Sequence, residues 1–455
     1  MTGLPQIAPD AGASAPAVTT LGNGVRVVVV HAPHLATAAV SVFVRSGSDH
    51  EPAHLHGISH VIEHMAFKGT RSRSCQEINL DAERLGAEVN AHTDKDHTAF
   101  HMVGRARDAP AFVRMLGDIV TQSTFPEGEL ARERQVLLHE LADEEDDPLG
   151  TAFELFDGAC FGDHPAGRRV IGTAASLRRV RRADLVAHVE NQYTGVNTLV
   201  AIAGNVDRDA VVAAAQHAFG AMRPGTENRI DPPRYVGGVR ARRLAGSTQA
   251  HVVLGFGIPA READHEAYLV AAALFGEGMS SPLLDELRER RGLVYHADCS
   301  ADVRGLHGQF VVEASTMPQN VPTYVAEVWR LLHEHATTTD LVGLERARNQ
   351  IAVRILLEHE HADERLEQVA LDLLARGRIR TPEERLARID AIGPDDVRQV
   401  FATMLEAGAA VGLAGAYARG EEGRIADLLA GHPAPARRTR AGAFVARRGR
   451  RPAQE

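Results

Sequence analysis

At 455 residues the chain is about three times a typical single-domain length, which excludes a small binding module and implies two or more domains. Its 44% hydrophobic and 24% charged residues match an ordinary globular protein and exclude wholesale disorder, collagen-like repeats and coiled coil. The net charge of −10 is uneven, because residues 432–455 carry seven arginines against one acidic residue; with so acidic a body, nucleic acid is a poor main ligand.

Residues 1–18 read as an N-terminal extension that resembles neither a secretory signal nor a transit peptide, since they hold no Lys or Arg and no apolar run behind a basic start. No apolar run reaches the roughly 18 residues of a spanning helix, so no membrane partner and a cytoplasmic location are expected. Segments 19–21 and 25–30 flank Asn23-Gly24, a hairpin signal. Residues 40–51 run from a strand pattern into an acidic turn, and 56–68 form a proline-free helical run ending at Gly69. Helical patterns then fill 126–145, with Pro126 suited to the first helical position, and 183–189. The strand pattern at 40–51 is echoed from Val252 at an offset of 212, and Leu199-Val-Ala-Ile-Ala-Gly204 by Ala410-Val-Gly-Leu-Ala-Gly415 at 211. Two echoes at nearly one offset imply two homologous halves. Residues 223–238, with Pro224, Gly225, Pro232 and Pro233, read as the linker. The expectation is an α+β fold of two homologous domains, 19–222 and 239–431, each a mixed or antiparallel sheet packed with helices, and a disordered basic tail at 432–455 or a docking arm for an acidic partner. Cys75, Cys160 and Cys299 suit reduced packing residues.

The chemistry concentrates in His60-Val-Ile-Glu63-His64. On a helix, positions 60 and 64 fall one above the other with 63 beside them, so two imidazoles can share a zinc ion while a carboxylate reaches a water on it. A solvated histidine-rich helix face is the bland alternative. A catalytic zinc needs a third ligand, and Glu133 and Glu140, seven apart on one helical face, offer one to bind and one to support a ligand from behind, unless both are simply surface carboxylates.

Four motifs in order resemble one family. They are Gly57-Ile-Ser-His60-Val-Ile-Glu63-His64-Met-Ala-Phe67-Lys-Gly-Thr70, Asn90-Ala-His-Thr-Asp-Lys-Asp-His-Thr98, Glu133 to Pro148 with its Asp-Asp-Pro ending, and Gly278 to Tyr295. The chain resembles the inverted-zincin (HxxEH) peptidases that include pitrilysin, insulin-degrading enzyme and the mitochondrial processing peptidase, and is similar to half-length bacterial members. The resemblance implies one Zn2+ per chain on His60, His64 and Glu140, with Glu63 as general base and Glu133 behind the ligands. It implies that Asn90 and Ala91 lie on an edge strand receiving peptide substrate, that Phe67 lines the pocket after the cleaved bond, and that Arg288 and Tyr295 meet the substrate and the developing oxyanion. By the same resemblance, a homodimer is expected in which Arg288 and Tyr295 of one subunit complete the zinc site of the other; a heterodimer with a degenerate homologue is the competitor.

The implied function is a zinc endopeptidase that hydrolyses peptides or unfolded segments in a closed chamber. The alternatives are a non-catalytic scaffold of the same fold and a maturation peptidase for one precursor peptide. The second half lacks paired histidines at the equivalent helix, so one metal site per chain is expected. His333-Glu-His335 and His359-Glu-His361 read as surface helix, and Trp329 as core. Acidic residues 143–147 and Glu154 could favour basic residues near the cut or simply be solvated.

Overall fold

The computed structural model describes residues 15–261 and 263–431; most of the N-terminal extension and the basic tail lie outside the described residues. The first half builds a six-stranded sheet from β1 (Ala17–Thr20), β2 (Arg26–His31), β3 (Thr37–Val44), β4 (Glu88–Thr93), β5 (Thr98–Arg105) and β6 (Thr198–Gly204), in the order β1-β2-β6-β3-β5-β4. The second builds a five-stranded sheet from β7 (Gly238–Arg243), β8 (Ala250–Ile258), β9 (Val294–Val303), β10 (Gly308–Thr316) and β11 (Ala410–Gly415), in the order β7-β11-β8-β10-β9. Apart from the extra β1 the orders match strand for strand, and each sheet has one parallel pair, β2 with β6 and β7 with β11. The sequence echoes fall on equivalent strands, β3 with β8 and β6 with β11. The fold is α+β with two mixed sheets, as expected.

Every residue of β6 and β11 is buried, which requires both faces of each sheet to be covered. The inner face of the first sheet takes its own helices, with Val200 and Ile202 in the main core of that half. Its outer face, through Leu199, Ala201 and Phe43, is covered by Leu366, Val369, Ala370 and Leu373 of the helix Ala362–Arg376 from the second half. The helix Pro148–Phe161 returns the exchange, laying Ala152, Phe156 and Cys160 on Val253, Val311 and Ala414 of the second sheet. The approach is close enough to demand glycine: a Cβ on Gly412 would lie 2.0 Å from the Ala152 carbonyl oxygen. Each half therefore lays one of its helices over the central strands of the other half's sheet.

Local boundaries differ modestly from the sequence pattern. Pro126 is the N-cap of the helix Glu127–Asp146 rather than its first residue, and the first strand starts at Ala17. His335 departs from the surface reading: it is buried, its Nδ1 faces the Leu331 carbonyl at 2.8 Å, and its ring packs on Phe275 and Phe401. A histidine whose ring polarity is met by its own helix is a tolerable core residue. Trp329 is core, Cys160 and Cys299 are buried, and Cys75 is half-buried at the start of a helix. No helix among the described residues is long and apolar enough to cross a membrane.

Candidate active site

The helix Ile58–Ala66 sorts its residues by face. Ile58, Val61, Ile62, Met65 and Ala66 are buried in the core, which turns His60, Glu63 and His64 to the opposite, half-buried side. Its start is held by Glu51, whose two oxygens accept the N–H groups of Gly57 at 2.6 Å and Ser59 at 2.7 Å. Burial pushes the Glu51 carboxyl up to about 7, against the pull of those two donors. Gly57 has φ of 92°, and a Cβ there would lie 2.5 Å from the Ile171 carbonyl oxygen, so only glycine lets the chain turn into the helix here.

The helix Glu127–Asp146 buries Leu130, Leu137 and Leu141, and the same periodicity brings Glu133 and Glu140 against the first helix. Glu140 Oε1 is 3.6 Å from His60 Nε2 and its Oε2 is 3.5 Å from His64 Nε2. A tetrahedral zinc with ligand bonds of about 2.1 Å keeps neighbouring ligand atoms about 3.4 Å apart, so this donor set fits the ion in kind and spacing. Burial, with the neighbouring His64, lowers His60 to about 4, which leaves its imidazole neutral as a metal ligand must be. Behind His64, Glu133 is buried with Oε2 at 3.2 Å from His64 Nδ1, while its other oxygen accepts Lys68 Nζ at 2.7 Å. Among the described residues His60 Nδ1 is buried without a hydrogen-bond partner, so the two histidines are not equally supported.

Glu63 points to the same side, and Thr93 Oγ1 donates to its Oε2 at 2.7 Å. Burial raises the Glu63 carboxyl while that hydrogen bond opposes the rise. Glu63, His60, Ala91, Thr93 and Ile171 line a cavity of about 240 Å³ that runs along β4. β4 is the edge of its sheet. Asp94 N–H donates to the His97 carbonyl at the β4–β5 turn, and counting back by twos turns the backbone of Asn90 and His92 toward β5 and that of Ala91 and Thr93 toward the open edge. The Ala91 N–H is met by Asn90 Oδ1 at 2.9 Å. Phe67 ends the first helix, half-buried and 6.1 Å from the Phe100 ring.

Arg288 and Tyr295 meet each other, with the guanidinium carbon 5.3 Å from the centre of the Tyr295 ring. Arg288 sits in the π-helical turn Asp285–Arg290, and Tyr295 is 85% exposed at the start of β9. Among the described residues no hydrogen bond, ion pair or ring contact joins this pair to the His60–Glu140 group of the same chain. In the second half the helix Glu266–Gly276 follows β8 as Ile58–Ala66 follows β3, and there Glu266 is buried against Arg380 at 2.7 Å, itself paired with Asp372. Glu154 is engaged by Arg169 and, at 3.8 Å, by Arg242, which ties it into the fold.

Sequence reasoning missed Thr93, Glu51 and Lys68. Lys68 was within reach, four residues beyond His64 in helical phase; Glu51 and Thr93 act across loops that no local pattern encodes.

The family profile described as Insulinase (Peptidase family M16) matches residues 26–174, and that described as Peptidase M16 inactive domain matches 179–351. The chain belongs to peptidase family M16. A protein of Mycobacterium tuberculosis named an uncharacterized zinc protease is 33% identical over 407 residues, covering 88% of this chain and 92% of the relative. Another so named, from Bacillus subtilis, is 28% identical over 393 residues, covering 84% and 95%. The crystal structure of a protease from Helicobacter pylori superposes with a TM-score of 0.81 at 20% identity over 88% of this chain and 99% of that one, a likeness of fold. This M16 chain thus has zinc-protease relatives of its own length, and its HxxEH helix lies in the half matched by the insulinase profile.

Proposed function

We propose that the chain is a zinc-dependent endopeptidase acting on peptides or unfolded segments, with one Zn2+ per chain on His60, His64 and Glu140. The observation that carries this is the convergence of those three side chains within 4.8 Å of one another, with Glu63 on the same face beside an open edge strand. A scaffold protein needs neither a base beside paired imidazoles nor a buried carboxylate behind one of them.

A zinc ion held there supplies a Lewis acid that acidifies water and polarises a carbonyl. Glu63 takes the proton of the attacking water and later delivers it to the leaving amine. Thr93 holds Glu63 to that task. An extended substrate adds to β4 through the outward N–H and C=O of Ala91, and Asn90 releases the Ala91 N–H as it does so. Phe67 offers an apolar wall beyond the cleaved bond. Glu133 fixes the His64 ring.

Arg288 and Tyr295 complete the site from a second copy of the chain, in a homodimer that encloses the substrate. What supports this arrangement is the exposure of Tyr295 and that, among the described residues, no hydrogen bond, ion pair or ring contact joins the pair to His60, His64 or Glu140 of its own chain. The test measures zinc content and cleavage of a quenched fluorescent peptide library for wild type, Glu63→Gln and Tyr295→Phe. Both variants are expected to keep zinc and lose cleavage, and mixing them should restore part of the activity. Cleavage that stays absent in the mixture would overturn the shared site, and no zinc in the wild type would overturn the peptidase reading.

A further inference from the structure

A second cavity, of about 340 Å³, lies where the two halves meet, away from the zinc group. Its walls come from the segment after β3 with Arg45 and His50, the β4–β5 turn with Asp96 and His97, the linker near Glu227, Arg261 after β8, the β9–β10 turn and the end of the helix Ala362–Arg376. The β9–β10 turn is itself locked to the first half, since Arg304 pairs with Asp94 and Gly305 N–H donates to Asp96 Oδ2 at 3.0 Å. That lock accounts for the acidic group Asp94, Asp96 and His97, whose counter-charge is Arg304.

The charges on the cavity wall are mostly spent. Glu227 takes both Arg45 and Arg229, and Asp96 takes His97 Nδ1 at 2.6 Å besides Gly305. Two groups are not spent. Arg261 donates from Nη2 to the Val303 carbonyl at 3.1 Å and has no carboxylate of a described residue within ion-pair distance. His97 is only 4% exposed, and its Nε2 is buried with no hydrogen-bond partner among the described residues. Burial alone would lower the His97 pKa, but the Asp96 carboxylate on Nδ1 outweighs it and holds it above its ordinary value, and in its charged form the ring carries a donor at Nε2. Leu306, Leu371 and Leu374 supply an apolar wall. A small hollow at a domain junction, mostly apolar and with a few convergent donors, is the ordinary form of a small-molecule site.

We propose that this interdomain cavity binds a small organic anion, its carboxylate or phosphate head held by Arg261 and His97 and its apolar body against Leu306, Leu371 and Leu374. Such a ligand touches the linker, the β9–β10 turn and the exchanged helix together, so it ties the two halves. The site is independent of the peptidase reading.

Calorimetric titration of the zinc-loaded full chain with N-acetyl-leucine, its amide and inorganic phosphate tests this. The expected result is saturable binding of N-acetyl-leucine, of phosphate, or of both, and none of the uncharged amide. Binding of N-acetyl-leucine alone assigns a carboxylate head, and of phosphate alone a phosphate head. Arg261→Gln should weaken the binding by about tenfold or more, as loss of one charge-assisted hydrogen bond does, and His97→Gln should weaken it independently. His64→Gln should leave it intact, which separates this site from a carboxylate bound at the zinc. Absence of saturable binding by either anion, or binding unchanged in both the Arg261 and His97 variants, would overturn the proposal.

Discussion

Glu133 offers a test of the proposed metal centre that does not depend on turnover. It is 7% exposed, with one oxygen 3.2 Å from His64 Nδ1 and the other 2.7 Å from Lys68 Nζ. Under the proposed assignment, Glu133→Ala removes the carboxylate that orients the His64 ring and leaves Lys68, its ion-pair partner, beside the proposed ligands. Losing a carboxylate that supports a metal-bound histidine costs about 10- to 100-fold in metal affinity, or about 1.4 to 2.7 kcal/mol. Glu133→Gln keeps an acceptor for Nδ1–H but not the charge, so its loss should fall between wild type and alanine. Competition for zinc against a chromogenic chelator reads the affinity directly, and peptide cleavage at saturating zinc should recover much of the wild-type rate. Wild-type zinc affinity in Glu133→Ala would refute the reasoning, because the contact to His64 would then have no bearing on the metal.

Further predictions concern the base, the fold and pH. Thr93→Val removes the hydrogen bond to Glu63 and should lower kcat about tenfold with KM and zinc content little changed; a wild-type kcat would show that Glu63 needs no such hold. Leu373→Ala opens a cavity between the exchanged helix and the first sheet and should cost about 2 to 5 kcal/mol in urea unfolding. A cost near zero would mean that the exchange contributes little. His188 is buried with Nε2 3.1 Å from Ser46 Oγ, and burial lowers it to about 4. Its contribution to stability is therefore full above the unfolded value of 6.5 and is lost as pH falls toward 4. Between about pH 7 and pH 5 the loss is roughly 2 kcal/mol, and His188→Asn should flatten the stability profile by that amount; an unchanged profile would mean that the native ring titrates normally.

What could be read in the sequence was what is local or repeated. His60, Glu63 and His64 share a face because a helix of 3.6 residues per turn leaves them no other choice once Val61, Ile62 and Met65 turn inward. Glu133 and Glu140 share a face for the same reason. The equivalence of β3 with β8 and of β6 with β11 was legible because a duplicated strand keeps its apolar pattern at a constant offset. His335 misled, since two histidines on a charged helix resemble a surface until Phe275 and Phe401 from distant segments close over one of them.

Composition, periodicity and motif spacing thus determined the fold class, the two halves and which side chains carry the candidate chemistry, because these follow from local backbone geometry and from repetition along the chain. Only the tertiary structure decided that Glu140 reaches both histidines, that Thr93 holds Glu63, that the halves exchange covering helices and that Arg261 and His97 share a cavity. Those are distances between residues tens to hundreds of positions apart, set by how sheets and helices pack, and no local pattern encodes them.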